Sequence, residues 1–139
     1  MSSSEQTGHS DTTTDGIRIR VGAAYLPHQS SPTDDRYAYA YRVRIDNVGG
    51  HTAQLLRRHW VILDADNERR EVKGNGVVGE QPVLAPGESF EYTSGATLET
   101  SWGTMEGTYA MVREDGTPFD AVVGRFFLTQ NVAPLPTHD

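Results

Sequence analysis

The run YAYAYRVRI at residues 37–45 alternates without a break. It sets Tyr37, Tyr39, Tyr41, Val43 and Ile45 on one side and Ala38, Ala40, Arg42 and Arg44 on the other. Successive side chains of an extended chain point to opposite faces, whereas a helix would scatter these residues around its circumference. The stretch reads as a strand with one buried and one wet face, the arrangement of antiparallel sheet. IRIRV at 17–21 does the same, with Ile17, Ile19 and Val21 opposed to Arg18 and Arg20. Large aromatics at this spacing are more simply core than a carbohydrate or peptide platform, their hydroxyls reaching the edge.

Further strands are expected at 55–64, 69–73, 89–94, 107–114 and 119–129, with Trp60 mid-strand and inward. Turn chemistry separates them: NVGG at 47–50, DADN at 64–67, APGE at 85–88 and EDGT at 114–117. The last, between two alternating runs, is a strong hairpin signal. No window of about ten or more residues carries a helical period. The expected fold is all-β, a two-sheet sandwich of about seven or more antiparallel strands. Residues 16–129 form that domain. Residues 1–15 hold eight Ser or Thr and no large aliphatic, so they are expected to be a disordered tail. Residues 130–139, QNVAPLPTHD, are expected to be a second, flexible one.

Charge and composition narrow the function classes. A formal net charge of -7 argues against a nucleic-acid binder, which needs a basic excess along the phosphate backbone. A local patch stays open, because Arg57, Arg58, Arg69, Arg70 and Lys73 are close in sequence. No apolar run approaches the ~20 residues that cross a bilayer, so no membrane insertion is expected. The first residues lack the basic and apolar regions of a secretory signal. The absence of cysteine removes disulfides, thiolate metal sites and a cysteine nucleophile, and is compatible with the cytoplasm.

Candidate chemistry is thin. Asp64, Asp66, Asn67 and Glu68 could hint at a hard cation, but a calcium loop wants glycine sixth and a carboxylate twelfth. Those positions hold Arg69 and Asn75, so a hairpin turn is the better reading. His9, His28, His51, His59 and His138 form no pair at metal-ligand spacing, and no metal or cofactor is expected. Ser89, Thr93 and Ser94 lack an identifiable base and orienting acid, so no catalytic residue is assigned.

RHWVILDAD (58–66), VKGNGVVGEQPVLAPGESFEYTSGATL (72–98) and GTMEGTYAMV (103–112) closely resemble the ApaG family. The resemblance runs from near Ile17 to about Leu128, and it implies an immunoglobulin/fibronectin type III-like sandwich. It implies little chemistry. Bacterial members are linked genetically to cobalt resistance and magnesium efflux. Related domains in eukaryotic F-box proteins and in a DNA polymerase-interacting protein suggest protein binding. Fold and family name do not establish a reaction.

GNGVVG at 74–79 matches the spacing G-x-G-x-x-G. A dinucleotide fingerprint needs a helix opening at these glycines so that its first amides meet the phosphates. Pro82 could start one, but Pro86 four residues on would break it. No Walker loop follows either. Two readings remain. One is a structural connection crossing between the sheets, with glycines at positive φ. The other is an anion nest formed by Lys73, Gly74, Asn75, Gly76, Val77, Val78, Gly79 and Glu80, assisted by Arg57 or Arg70. The resemblance adds that the family's glycine motif has been regarded as a pyrophosphate site.

The expected function is a non-enzymatic, cytoplasmic binding module whose partner is another protein. That partner would engage a sheet face, an edge strand or the glycine loop. The alternative is a binder or weak hydrolase of pyrophosphate or nucleoside polyphosphates through residues 74–79.

Overall fold

The computed structural model describes residues 8–130. Nine strands follow in order: β1 (His9–Thr14), β2 (Ile17–Tyr25), β3 (Tyr37–Asn47), β4 (Ala53–Asp64), β5 (Arg69–Asn75), β6 (Val83–Leu84), β7 (Ser89–Leu98), β8 (Gly103–Arg113) and β9 (Pro118–Leu128). They make two antiparallel sheets, β1-β2-β3-β7 and β5-β4-β8-β9, with β6 pairing the start of β4. The sandwich expected from the sequence is the architecture found, and the described residues contain no α-helix.

Period two sets the core. Tyr39, Tyr41, Val43 and Ile45 of β3 are buried beside Ile17, Ile19 and Val21 of β2. From the other sheet come Leu55, Trp60, Tyr109, Met111 and Phe126. Trp60 joins the layers, its ring 5.4 Å from Tyr41 and 6.0 Å from both Tyr109 and Phe126. The near-perpendicular contacts to Tyr109 and Phe126, at 84° and 87°, set ring edges against ring faces, the favourable sense of the quadrupoles. Inward tyrosines keep their hydroxyls paired: Tyr39 donates to the Ser101 carbonyl, and the Tyr92 and Tyr109 oxygens lie 2.5 Å apart. Burial pushes the pKa of both Tyr92 and Tyr109 up, so the pair stays neutral.

The N-terminal expectation needs correction. Residues 1–7 and 131–139 lie outside the described residues, but His9–Thr14 is a strand and not a tail. Asp15 and Gly16, both at positive φ, form the two-residue turn that folds β1 antiparallel onto β2. Aliphatic burial is not what holds β1. Thr12 Oγ1 donates to the Val122 carbonyl at 2.6 Å and Thr14 Oγ1 accepts from the Val122 amide at 3.2 Å. These hydroxyls satisfy backbone groups of β9, closing one lateral side of the sandwich. Asp11 adds an ion pair to Arg18 at 2.7 Å.

Two adjacent polar residues at the end of β3 tie segments together. Asn47 is 2% exposed, and its amide donates to the His51 and Leu84 carbonyls at 2.8 and 2.9 Å. Its Oδ1 accepts from the Gly49 amide, and its backbone bonds Glu88 and Gly87. Asp46 sits between Arg20 at 2.5 Å and Arg44 at 3.1 Å, and accepts from the Ser89 hydroxyl. Burial works to raise the Asp46 pKa, but the Ser89 hydroxyl and the two guanidiniums outweigh it and hold it below the ordinary 3.8.

Replacing Asn47 with alanine strands the buried Leu84 carbonyl and frees the His51 carbonyl, and should lower the unfolding free energy by about 1–3 kcal/mol in urea titration. Asp46 has a depressed folded-state pKa, so its stabilisation is present above the unfolded value and is lost as pH falls through the folded one. Urea midpoints measured downward from pH 3.8 should therefore fall less steeply for Asp46→Asn than for the wild type.

Candidate functional site

The glycine segment is anchored where β4 is irregular. The register of β4 on β8 shifts between Leu55 and Arg57, leaving Leu56 as the extra residue of a bulge. The Leu56 carbonyl accepts both the Gly76 amide at 2.8 Å and the Gln81 side-chain amide at 2.9 Å. Gln54 reaches the Gln81 carbonyl, and the Leu55 amide donates to Pro82. β5 and β6 thus pair successive parts of one strand, β4. The segment between them stays in the five-stranded sheet and does not cross to the other, contrary to the sequence reading.

Val77 and Glu80 exchange both backbone bonds, at 2.8 and 2.9 Å, around Val78 and Gly79. Both central residues have positive φ, 43° and 81°, the requirement of a type I′ turn. Gly76 is also at positive φ, and a Cβ there would lie 2.2 Å from the Glu80 carbonyl oxygen. Gly74 leaves room for the Arg58 guanidinium, which donates to the Asn75 and Gly76 carbonyls at 3.1 and 2.9 Å. Each glycine therefore has a local structural role. Of the amides in the proposed nest, those of Gly76, Val77 and Glu80 are spent inside the fold. The Val78 and Gly79 amides make no backbone hydrogen bond among the described residues. Val78 is the outlier, since a β-branched residue is costly in the left-handed region and its side chain is exposed.

The outer face of the five-stranded sheet forms an open cleft of about 420 Å³ that takes in the end of β5. Its main lining comes from two cross-strand rows, Asn75–Arg57–Ala110–Asp120 and Lys73–His59–Thr108. Trp60 and Ile62 point inward, so the alternate residues Arg57 and His59 point out. Among the described residues, neither Arg57 nor Lys73 has an ion-pair partner. His59 Nε2 lies 2.8 Å from Glu71 Oε1, and Arg69 holds the other oxygen at 2.9 Å. His59 first and then Arg69 draw the Glu71 pKa below its ordinary value. Arg70, a proposed helper of the nest, instead donates to the Thr97 carbonyl on β7.

The arrangement can attract an anion through Arg57 and Lys73, with Asn75 and Thr108 as polar neighbours. Acid–base chemistry has little to work with. Ser89 donates to a carboxylate, but Arg20 and Arg44 lower the basicity of Asp46. Asp64 spends its Oδ1 on the Asp66 and Glu68 amides, as the turn reading expects. Sequence reasoning missed Thr108, Ala110 and Asp120. Only the strand order brings β8 and β9 beside residues 57–59 and 73–75.

A family model described as the ApaG domain matches residues 27–113. Protein ApaG of Thiobacillus denitrificans is 61% identical over 112 residues, covering 81% of this chain and 88% of that protein. Protein ApaG of Dechloromonas aromatica is 53% identical over 119 residues, covering 86% and 94%. The crystal structure of the putative ApaA protein from Bordetella pertussis superposes with a TM-score of 0.80 at 46% identity. It covers 91% of this chain and 98% of that one.

Asparagine tolerates the left-handed region that strains Val78, so Val78→Asn should gain up to about 1 kcal/mol in urea unfolding. Gly76→Ala drives a Cβ into the Glu80 carbonyl and should cost about 2–3 kcal/mol in the same assay.

Proposed function

The chain belongs to the ApaG domain family, and from that premise we propose that it is a non-enzymatic binding module whose partner is another protein. The observation that carries this reading is the engagement of the glycine segment within the fold. Three of its amides, the Leu56 carbonyl and the Arg58 guanidinium bond one another, which supports a structural loop over a phosphate cradle. Chemistry rests on the site and not on the fold, and among the described residues no hydroxyl of the cleft is hydrogen-bonded to a carboxylate. The module works in the cytoplasm. The family's link to cobalt resistance and magnesium efflux then reflects what the partner does, and not a metal held by this chain.

A second reading has its own support. Among the described residues Arg57 and Lys73, which line the cleft, have no ion-pair partner, and the Val78 and Gly79 amides of the turn that follows β5 make no backbone hydrogen bond. They suit a pyrophosphate or nucleoside polyphosphate, bound or slowly hydrolysed.

The two readings separate by incubation with diadenosine tetraphosphate, with and without divalent cations, alongside capture of partners by the immobilised chain. Retention of one cytoplasmic protein without turnover is expected. Turnover abolished by Lys73→Ala or Arg57→Ala, with an unchanged urea midpoint, would replace the module by the phosphate enzyme.

A further inference from the structure

The four lateral edges of the sandwich are not equally protected. β1 and β9 face one another, and Thr12 and Thr14 occupy the backbone groups of Val122. β5 carries Arg69, Arg70, Glu71 and Lys73 within seven residues, and charge of that density discourages strand addition. β7 closes the other end of the four-stranded sheet. Its sequence SFEYTSGATL has no proline, no lysine, no arginine and a single charge, Glu91.

The backbone of β7 is divided by parity. The Asn47 amide bonds the Glu88 carbonyl, and the register of β3 on β7 continues from that pair without a shift. Even-numbered residues therefore bond β3, and odd-numbered ones direct both N–H and C=O toward the free edge. Thr97 fits this parity, since its carbonyl accepts Arg70 Nη2 from the opposite sheet. Ser89, Glu91, Thr93 and Gly95 are left with edge-directed donors and acceptors, and all four residues are exposed. This is a strand template of ordinary length without the usual devices that blunt one.

Charge selects the occupant. Residues 88–101 contain Glu88, Glu91 and Glu99 and no cation. Pairing β7 with β7 of a second copy would bring together two strands whose only charges are the two Glu91 carboxylates, with Glu88 and Glu99 at their ends and no cation from either strand. An added strand would place alternate side chains beside Glu91 on the outer face, on the side away from its β3 neighbour Arg44, and the others toward Arg70, which bonds the Thr97 carbonyl, and the half-buried Val72. We propose that β7 is the docking edge of the module. It accepts an extended segment of another protein that alternates basic with apolar residues, as a fifth strand of the four-stranded sheet. This rests on the reading of the chain as a protein-binding module, and names the surface and the chemistry of its partner.

The probe is a short synthetic peptide alternating lysine and valine, titrated into isotope-labelled protein, with an alternating glutamate–valine peptide as control. The lysine peptide should shift the amides of Glu91, Thr93 and Gly95 and slow their hydrogen exchange. Thr93→Pro removes an edge-directed donor and leaves the β3 ladder intact, a position where proline is tolerated. Glu91→Lys reverses the selecting charge. Each should weaken binding at least about tenfold with little change in the urea midpoint. If Thr93→Pro fails to fold, Glu91→Lys and the positions of the shifted amides decide. Shifts confined to Arg57, Lys73 and Asn75 would overturn the proposal, as would equal binding of the glutamate peptide. Protection of the same three amides that grows with protein concentration alone would overturn it in favour of a second copy. A captured partner that still binds Thr93→Pro at full strength would remove the edge and leave the module standing.

Discussion

The packing of Trp60 against Tyr41, Tyr109 and Phe126 is the contact on which the remaining geometry hangs. It joins β3 of one sheet to β4, β8 and β9 of the other. Once Trp60 points inward, the parity of its strand is fixed, and a slip by one residue would expose every buried side chain of β4. The same parity sends Arg57 and His59 outward, and through the ladder it sends Lys73, Asn75, Thr108 and Asp120 outward with them. The cationic cleft is thus a by-product of core packing combined with strand order. Its two cations, without an ion-pair partner among the described residues, stand out in a chain whose overall charge is strongly negative.

Sequence gave a good account wherever the signal was local. The alternation of 37–45, the inward position of Trp60 and the Asp115–Gly116 turn are carried by neighbouring residues. β1 escapes a reading based on burial, because its order comes from hydroxyl bonds instead. Six polar residues bury little, yet Thr12 and Thr14 are placed to bond the backbone of Val122, more than a hundred residues away in sequence. Asp15–Gly16 was the available clue, since that dipeptide between extended runs is itself a hairpin signal. The glycines illustrate a different limit. Their spacing was visible, but not the bulge at Leu56 that consumes the Gly76 amide, nor the guanidinium laid over Gly74. Thr108, Ala110 and Asp120 had no local mark at all, because only the pairing of distant strands brings them to the cleft.

The two lateral sides of the sandwich contrast in a way that bears on its use. One is sealed by hydroxyl bonds between β1 and β9. The other is bridged at Arg70 to Thr97, with a charged strand on one side and an almost uncharged one on the other. The docking proposed for β7 would use the side that no hydroxyl clasp seals, with main-chain bonds for affinity and side chains for selectivity.

The clasp between β1 and β9 also governs when the molecule can assemble. These are the strands nearest the two ends of the described chain, and the β4–β8 ladder joins positions separated by about forty residues or more. Such a topology has high contact order, and loop entropy must be spent before distant pairings repay it. During synthesis, β1 has no β9 to clasp and Trp60 has no Phe126 to meet until the final strand leaves the ribosome. The chain should therefore fold as one late event, and not strand by strand as it emerges.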